Sequence, residues 1–342
     1  MQSSGLFDIQ VNGFAGVDFN SPQCDAEGLD HALEAMLACG VTACLPTLIT
    51  ASFDELAERF AALDRAVASS RFGPVMVPGY HLEGPFLNSA TGYSGCHPTD
   101  QMMAPDPALV ETIQKSLKRP ILLVTLAPEL PGSEVFIRRM VMQGRIVAIG
   151  HSAADEATVS RAVAAGASLS THLGNGLPAT LPKLANPIWA QLADDRLWAS
   201  LIADGIHVPP ATLKVMIRAK GVNRCILTTD AISAAASAPG FYPFAGMNVE
   251  HREDGSARLP GSPYLAGSAL SLNTAVRNVV TWVNVTSLGA LRMASENPRG
   301  LLAGALTRHE IRLEPGRVEW SADLAIIRVR LGSVDRCYRE PS

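Results

Sequence analysis

Along the 342 residues, short β-branched or leucine-rich runs alternate with longer stretches whose apolar positions recur at helical spacing. That alternation favours a parallel sheet with helical crossovers. Eight runs fit strands, at 6–11, 41–46, 75–81, 121–127, 145–150, 168–172, 197–203 and 224–229. Helices are predicted between them over 26–39, 53–68, 108–118, 133–143, 155–164 and 209–220. Ser133 and Asp155 stand where N-caps belong, and Pro209-Pro210 suits a first helical turn. Eight strands admit either an open, doubly wound sheet or a closed TIM-type (β/α)₈ barrel. The polar residues decide between them. Asp8-Ile9-Gln10-Val11-Asn12, His81-Leu82-Glu83, Gly150-His151, Thr171-His172, Asp204 with His207, and Thr229-Asp230 all end a predicted strand or follow one. In a barrel those ends converge on one mouth, where active sites sit, whereas an open sheet would spread them along an edge. The fold predicted is therefore the barrel.

After Asp230 the pattern changes. Residues 240–261, with the Asp254-Gly255 turn signal, read as a hairpin over the barrel mouth, within an insertion at 236–265. Two helices are predicted at 268–283 and 287–302. From Ile311 short strands form a small β-sandwich annex, too small to fold alone. The expected organisation is a barrel domain over 1–310 and an annex over 311–342, to which the extreme N-terminus can add.

Composition narrows the class. Hydrophobic residues make up 47% and charged residues 18%, which excludes disorder and supplies a large core. A net charge of -4 gives no electrostatic reason to expect nucleic acid. The six cysteines contain no Cys-x-x-Cys pair and read as reduced thiols. The start, MQSSGLFDIQVNG, lacks the features of a signal peptide, and no apolar run is long enough to span a bilayer. A cytoplasmic enzyme without membrane or nucleic-acid partners is expected.

Five of the eight histidines fall at strand ends or in the loop just after one. A lone histidine is more often structural than catalytic, but several at one end of successive strands suggest a metal site. Glu83, His151 and His172 would supply a His₂Glu set from three strands, leaving a position open for water. Zinc suits these ligands best, and Fe²⁺, Co²⁺ or Mn²⁺ also fit in part. Such a metal lowers the pKa of a bound water and polarises a carbonyl. Amide hydrolysis also needs a proton carrier, and Asp230 has the right type and place, although a helix N-cap is its bland alternative. His207 and Asn175 offer donors for substrate oxygens, and Gly174 and Gly176 let backbone approach a ligand; turn formation is the alternative for these.

Together, DIQVNGFAGVD (8–18), HLEGPFLN (81–88), Gly95–His97, GHSA (150–153), THLGN (171–175), ADGIHV (203–208), TDA (229–231), LAGS (265–268) and ASENPRGLLA (294–303) resemble the N-acetylglucosamine-6-phosphate deacetylases of the amidohydrolase superfamily. The resemblance covers most of the chain in the family's order. It implies a barrel with a small β-sandwich, a homodimer, and removal of acetate from a 2-acetamido sugar phosphate. By position Glu83, His151 and His172 match the metal ligands, Asp230 the catalytic acid/base, and His97, Asn175 and His207 substrate-contacting positions. Where many amidohydrolases bind a second metal through His-x-His, this chain has Gln10 and Asn12, which are poor zinc ligands, so one metal is expected. Two departures stand out. The chain begins almost at the first barrel strand, without the family's usual N-terminal strands. After THLGN it reads GLPATLPK (176–183), with no arginine before Arg196 to bind a phosphate. Lys183 is the available substitute, without the bidentate fork that suits phosphate. Three readings follow: a deacetylase of N-acetylglucosamine 6-phosphate, an amidohydrolase of an unphosphorylated acetamido sugar or other small amide, and a non-catalytic sugar-binding protein.

Overall fold

The apolar runs become the eight parallel strands of a barrel in a computed structural model that describes residues 1–262 and 264–339. The strands are β1 (Leu6–Val11), β2 (Val41–Ile49), β3 (Tyr80–Glu83), β4 (Ile121–Leu126), β5 (Ile146–Ile149), β6 (Leu169–Ser170), β7 (Trp198–Leu201) and β8 (Cys225–Leu227). They pair in chain order from β1 to β8. Closure between the two ends comes from Asp230 N–H donating to Gln10 O at 2.9 Å and from a parallel bridge between Val11 and Ala231. Nearly every strand residue is buried, as expected where helices cover the outer face.

Caps fix where the crossover helices begin. Asp25, Asp106 and Asp155 each accept a hydrogen bond from a first-turn N–H, and Ser52 forms a capping box with Glu55. Three local expectations are corrected. Residues 75–76 belong to a short helix, Gly73–Met76, because Pro74 suits a helical first turn; the strand starts only at Tyr80. Gly132, at φ 86°, takes the N-cap place assigned to Ser133, which is the first helical residue. The segment 287–302 is two helices, Ser287–Ala294 and Glu296–Arg308, broken at Ser295. Pro298 lies in the first turn of the second, where its missing N–H costs no helical bond.

That last helix positions the site indirectly. Its Leu301, Leu302, Ala305 and Leu306 pack against Phe7, Ile9, Ala43, Leu45, Leu123 and other inward residues of the strands, sealing the barrel floor. The polar strand ends are left at the opposite mouth. Over that mouth the predicted hairpin is a four-stranded antiparallel sheet of Gly240–Phe244, Met247–His251, Ser256–Arg258 and Leu265–Ser268. Its last strand is bridged to Ala231 beside β8. Beside the barrel, Gln2–Ser4 pairs antiparallel with Gly316–Trp320, followed by Ile326–Leu331 and Val334–Cys337. No helix among the described residues is long and apolar enough to cross a membrane.

Candidate functional site

Glu83 ends β3 and is almost fully buried, in a position where an isolated carboxylate would be costly. Imidazoles surround it. His172 Nε2 lies 2.9 Å and His151 Nε2 3.6 Å from Glu83 Oε1, and His97 Nε2 lies 4.0 Å from Oε2. The His151 ring makes edge contacts with both neighbours, at centroid distances of 4.6 Å to His97 and 5.0 Å to His172. Burial pushes the Glu83 carboxyl up, but its bonds to His151 and His172 outweigh this and hold it well below the usual range. Burial pushes His172 down, and the bond to Glu83 reverses this, so the net shift is upward. His172 and Glu83 thus each favour the other's charged form.

The donor set suits a divalent metal. Glu83, His97 and His151 offer ligand atoms all within 4.8 Å of one another. The expected third ligand, His172, makes the shortest contact with Glu83 instead, and its Nδ1 is buried without a partner. All three expected ligands therefore meet, and His97, expected only to touch substrate, stands with them. His151 Nδ1 is 2.6 Å from Tyr93 O, a contact that orients the ring with Nε2 toward Glu83. His97 Nδ1 lies 2.8 Å from Thr50 Oγ1, and burial, then the charge of His151, pushes its pKa down to about 3. A neutral imidazole is the form that ligates.

Asp230 follows β8 and faces the same cavity. Asn12 Nδ2 donates to its Oδ1 at 2.8 Å and Gln10 Nε2 at 3.2 Å. Gln10 Nε2 also donates to Glu83 Oε1 at 3.0 Å. At the positions of an expected vestigial second site, amide hydrogens thus bridge the two carboxylates. Burial, then the charge of Glu83, raises Asp230 to about 6. Behind it, Asp8 accepts from Thr228 Oγ1 at 2.8 Å and Thr229 Oγ1 at 2.5 Å, fixing the turn that carries Asp230.

His151, His172 and Asp230 all have left-handed backbone, at φ 51°, 29° and 51°. Non-glycine residues rarely adopt it, and it clusters at functional sites where surrounding structure over-determines the geometry. Gly176, at φ 62°, lies so close to His151 that a Cβ there would be 2.6 Å from its Nδ1. Asn175 Nδ2 donates to His172 O at 2.9 Å, so it also braces the loop it belongs to. His207 is oriented by Asp204, whose Oδ2 is 2.6 Å from Nδ1. His81, the remaining strand-end histidine, is fully buried between Thr47 and Thr125 and has a structural role.

Glu83, His97, His151, His172, His207 and Asp230 line a cavity of about 560 Å³ that reaches past Thr91 and Ser94 on one side and, on the other, Phe244 of the covering sheet and Tyr264 just before its last strand. That is room for a small polar ligand. Among the described residues no lysine or arginine lines it, and Lys183 is exposed outside it. Thr50 and Glu129 brace the site, and the sequence reading assigns neither of them a part in it. Glu129 stands two residues past the predicted end of β4, so its strand-end position is the signal that could have found it.

The amidohydrolase family pattern matches residues 3–302. N-acetylgalactosamine-6-phosphate deacetylase of Shewanella sp. (strain ANA-3) is 34% identical over 296 residues, covering 86% of this chain and 72% of the relative. N-acetylglucosamine-6-phosphate deacetylase of Caenorhabditis elegans is 31% identical over 341 residues, covering 95% and 78%. Among solved structures, N-acetyl-D-glucosamine-6-phosphate deacetylase of Mycobacterium smegmatis, as a mutant in complex with N-acetyl-D-glucosamine-6-phosphate, superposes with a TM-score of 0.85 at 27% identity, covering 96% and 85%.

Proposed function

The chain belongs to the amidohydrolase family, and from that premise we propose that it hydrolyses the acetamide of a 2-acetamido-2-deoxyhexose 6-phosphate, releasing acetate. The observation that carries the reading is the convergence of Glu83, three imidazoles and Asp230 on one cavity in a chain whose relatives deacetylate such sugars. N-acetylglucosamine 6-phosphate and its C4 epimer are both candidates, since relatives named for each match over most of the chain.

In this reading Glu83, His151 and His172 hold one divalent ion, zinc being the best chemical match, with His97 turned to the substrate. The metal supplies a water of lowered pKa and polarises the acetyl carbonyl. The rest falls to the chain's own groups. Asp230 takes the proton of the attacking water through Oδ2, because Oδ1 is held by Asn12 and Gln10, and delivers it to the departing amine. His207, steadied by Asp204, and His97 donate to substrate oxygens. Asn175 and the backbone at Gly176 border the sugar. We also propose a cytoplasmic homodimer: a reducing compartment suits six unpaired cysteines, and the dimer rests on the family resemblance.

One observation favours a second reading, hydrolysis of an unphosphorylated acetamido sugar: the absence of lysine and arginine from the described cavity lining. Acetate release from N-acetylglucosamine 6-phosphate, N-acetylgalactosamine 6-phosphate and N-acetylglucosamine, each with zinc-loaded protein, tests both. Turnover of a phosphorylated sugar alone supports the first reading. Equal or faster turnover of the free sugar replaces it with the second, and no acetate from any of the three defeats both.

A further inference from the structure

The geometry points to Glu129 as a positioning residue that locks His151 in its ligand-bearing conformation; the inference rests on the metal reading of Glu83 and His151. Glu129 follows β4 through Ala127-Pro128 and is itself half-buried at the rim of the mouth. Its three hydrogen bonds go to two neighbouring loops. Its Oε1 accepts from Asn88 Nδ2 at 2.8 Å and from Ala153 N–H at 2.6 Å, and its Oε2 accepts from Ser152 Oγ at 2.6 Å. Asn88 lies on the segment that leaves Glu83, while Ser152 and Ala153 follow His151 directly. The same two loops are tied once more by Asn88 N–H donating to His151 O at 3.2 Å. One carboxylate therefore fastens the loop carrying one proposed ligand to the loop carrying another.

His151 needs such a fastening. Its backbone sits at φ 51°, a region that non-glycine residues rarely adopt and that persists only where the surroundings impose it. The ring is further confined by Gly176 and by Gly95, where a Cβ would lie 3.2 Å from His151 Cε1. If Ser152 and Ala153 were released, His151 could relax toward ordinary backbone angles and swing Nε2 away from Glu83. Glu129 touches no ring nitrogen and no reacting atom in this arrangement, so its effect is on geometry.

The test uses the full chain, stripped of metal and titrated with zinc against a competing chelator, beside the thermal midpoint of the stripped protein. Glu129→Ala is expected to weaken zinc binding by roughly 10–100-fold, the usual effect of losing a group that orients a ligand. Its metal-free midpoint should stay within about 4 °C of the unaltered chain. Glu129→Gln keeps one acceptor oxygen, and Ser152 can turn its hydroxyl to accept from the new amide, so most of the affinity should return. Zinc binding by Glu129→Ala within about twofold of the unaltered chain overturns the inference. So does a loss of affinity that only follows a matching fall in metal-free stability in both variants. If the unaltered chain binds no zinc, the metal reading fails first and takes this inference with it, an outcome separable from the others.

Discussion

At the scale of residues, the site divides labour between two carboxylates by their surroundings. Glu83 is ringed by imidazoles and stays ionised, while Asp230, beside that charge and held by neutral amides, is raised to about 6. A pair pushed apart in this way is suited to separate duties, one binding a cation and the other moving a proton. Asp230→Asn should leave zinc binding within about twofold and lower kcat by roughly 10²–10⁴, the span of general acid–base catalysis. Full activity in that variant removes Asp230 from its role. The pH dependence follows from the same pair. Asp230 works as a base only when ionised, so kcat/KM should fall as pH drops through its pKa. That pKa is about 6 without metal, and a bound cation favours the anion, so the acid limb belongs at or below 6 in the loaded enzyme. A limb well above 6 at saturating zinc would assign the titration to another group.

At the scale of elements, the site is a product of strand ends held in register and a floor that keeps them there. The Glu296–Arg308 helix fills the lower barrel with Leu301, Leu302, Ala305 and Leu306 against side chains from most of the strands. Leu302 is fully buried there. Leu302→Ala should cost about 2–5 kcal/mol in denaturant unfolding, as large-to-small changes in packed cores do. Its KM should change little, since the site lies at the opposite mouth. The covering sheet works from the other side: Phe244 and Tyr264 help close a cavity whose chemistry comes entirely from the barrel.

At the scale of the whole molecule, the mouth gathers buried carboxylates and imidazoles at one point. One buried carboxylate faces three imidazoles, a second carboxylate stands beside it, and two buried polar atoms there, His172 Nδ1 and Asn12 Oδ1, are without a partner. A ligand that binds only the folded state stabilises it by mass action. Stripping metal with a chelator should therefore lower the thermal midpoint by several degrees, and adding zinc should restore it. At 100-fold excess over the dissociation constant the stabilisation is about 2.7 kcal/mol. No shift in either direction would show that the cluster holds no metal in solution.

Much of this was legible in the chain alone. Strand period, helix period and caps place the eight βα units, because each is written in a few consecutive residues. The position of Glu83, His151, His172 and Asp230 at strand ends is equally local, and closure of the barrel then makes their meeting unavoidable. Local signals misled where two elements share one apolar run, as at 75–81 and 287–302, where a glycine took over a cap, as at Gly132, and at 268–283, where a strand of the covering sheet ends at Ser268 and the helix starts only at Leu272. The tertiary structure alone decided what depends on side chains distant in sequence. It brought His97 up to Glu83, turned Gln10 into a donor bridging two carboxylates and Asn12 into a second donor to Asp230, left the cavity lining without lysine or arginine among the described residues, and set Glu129 as the clamp on Asn88, Ser152 and Ala153. Which atoms come within hydrogen-bonding distance depends on how separate loops pack at the mouth, and no periodicity within one segment carries that information.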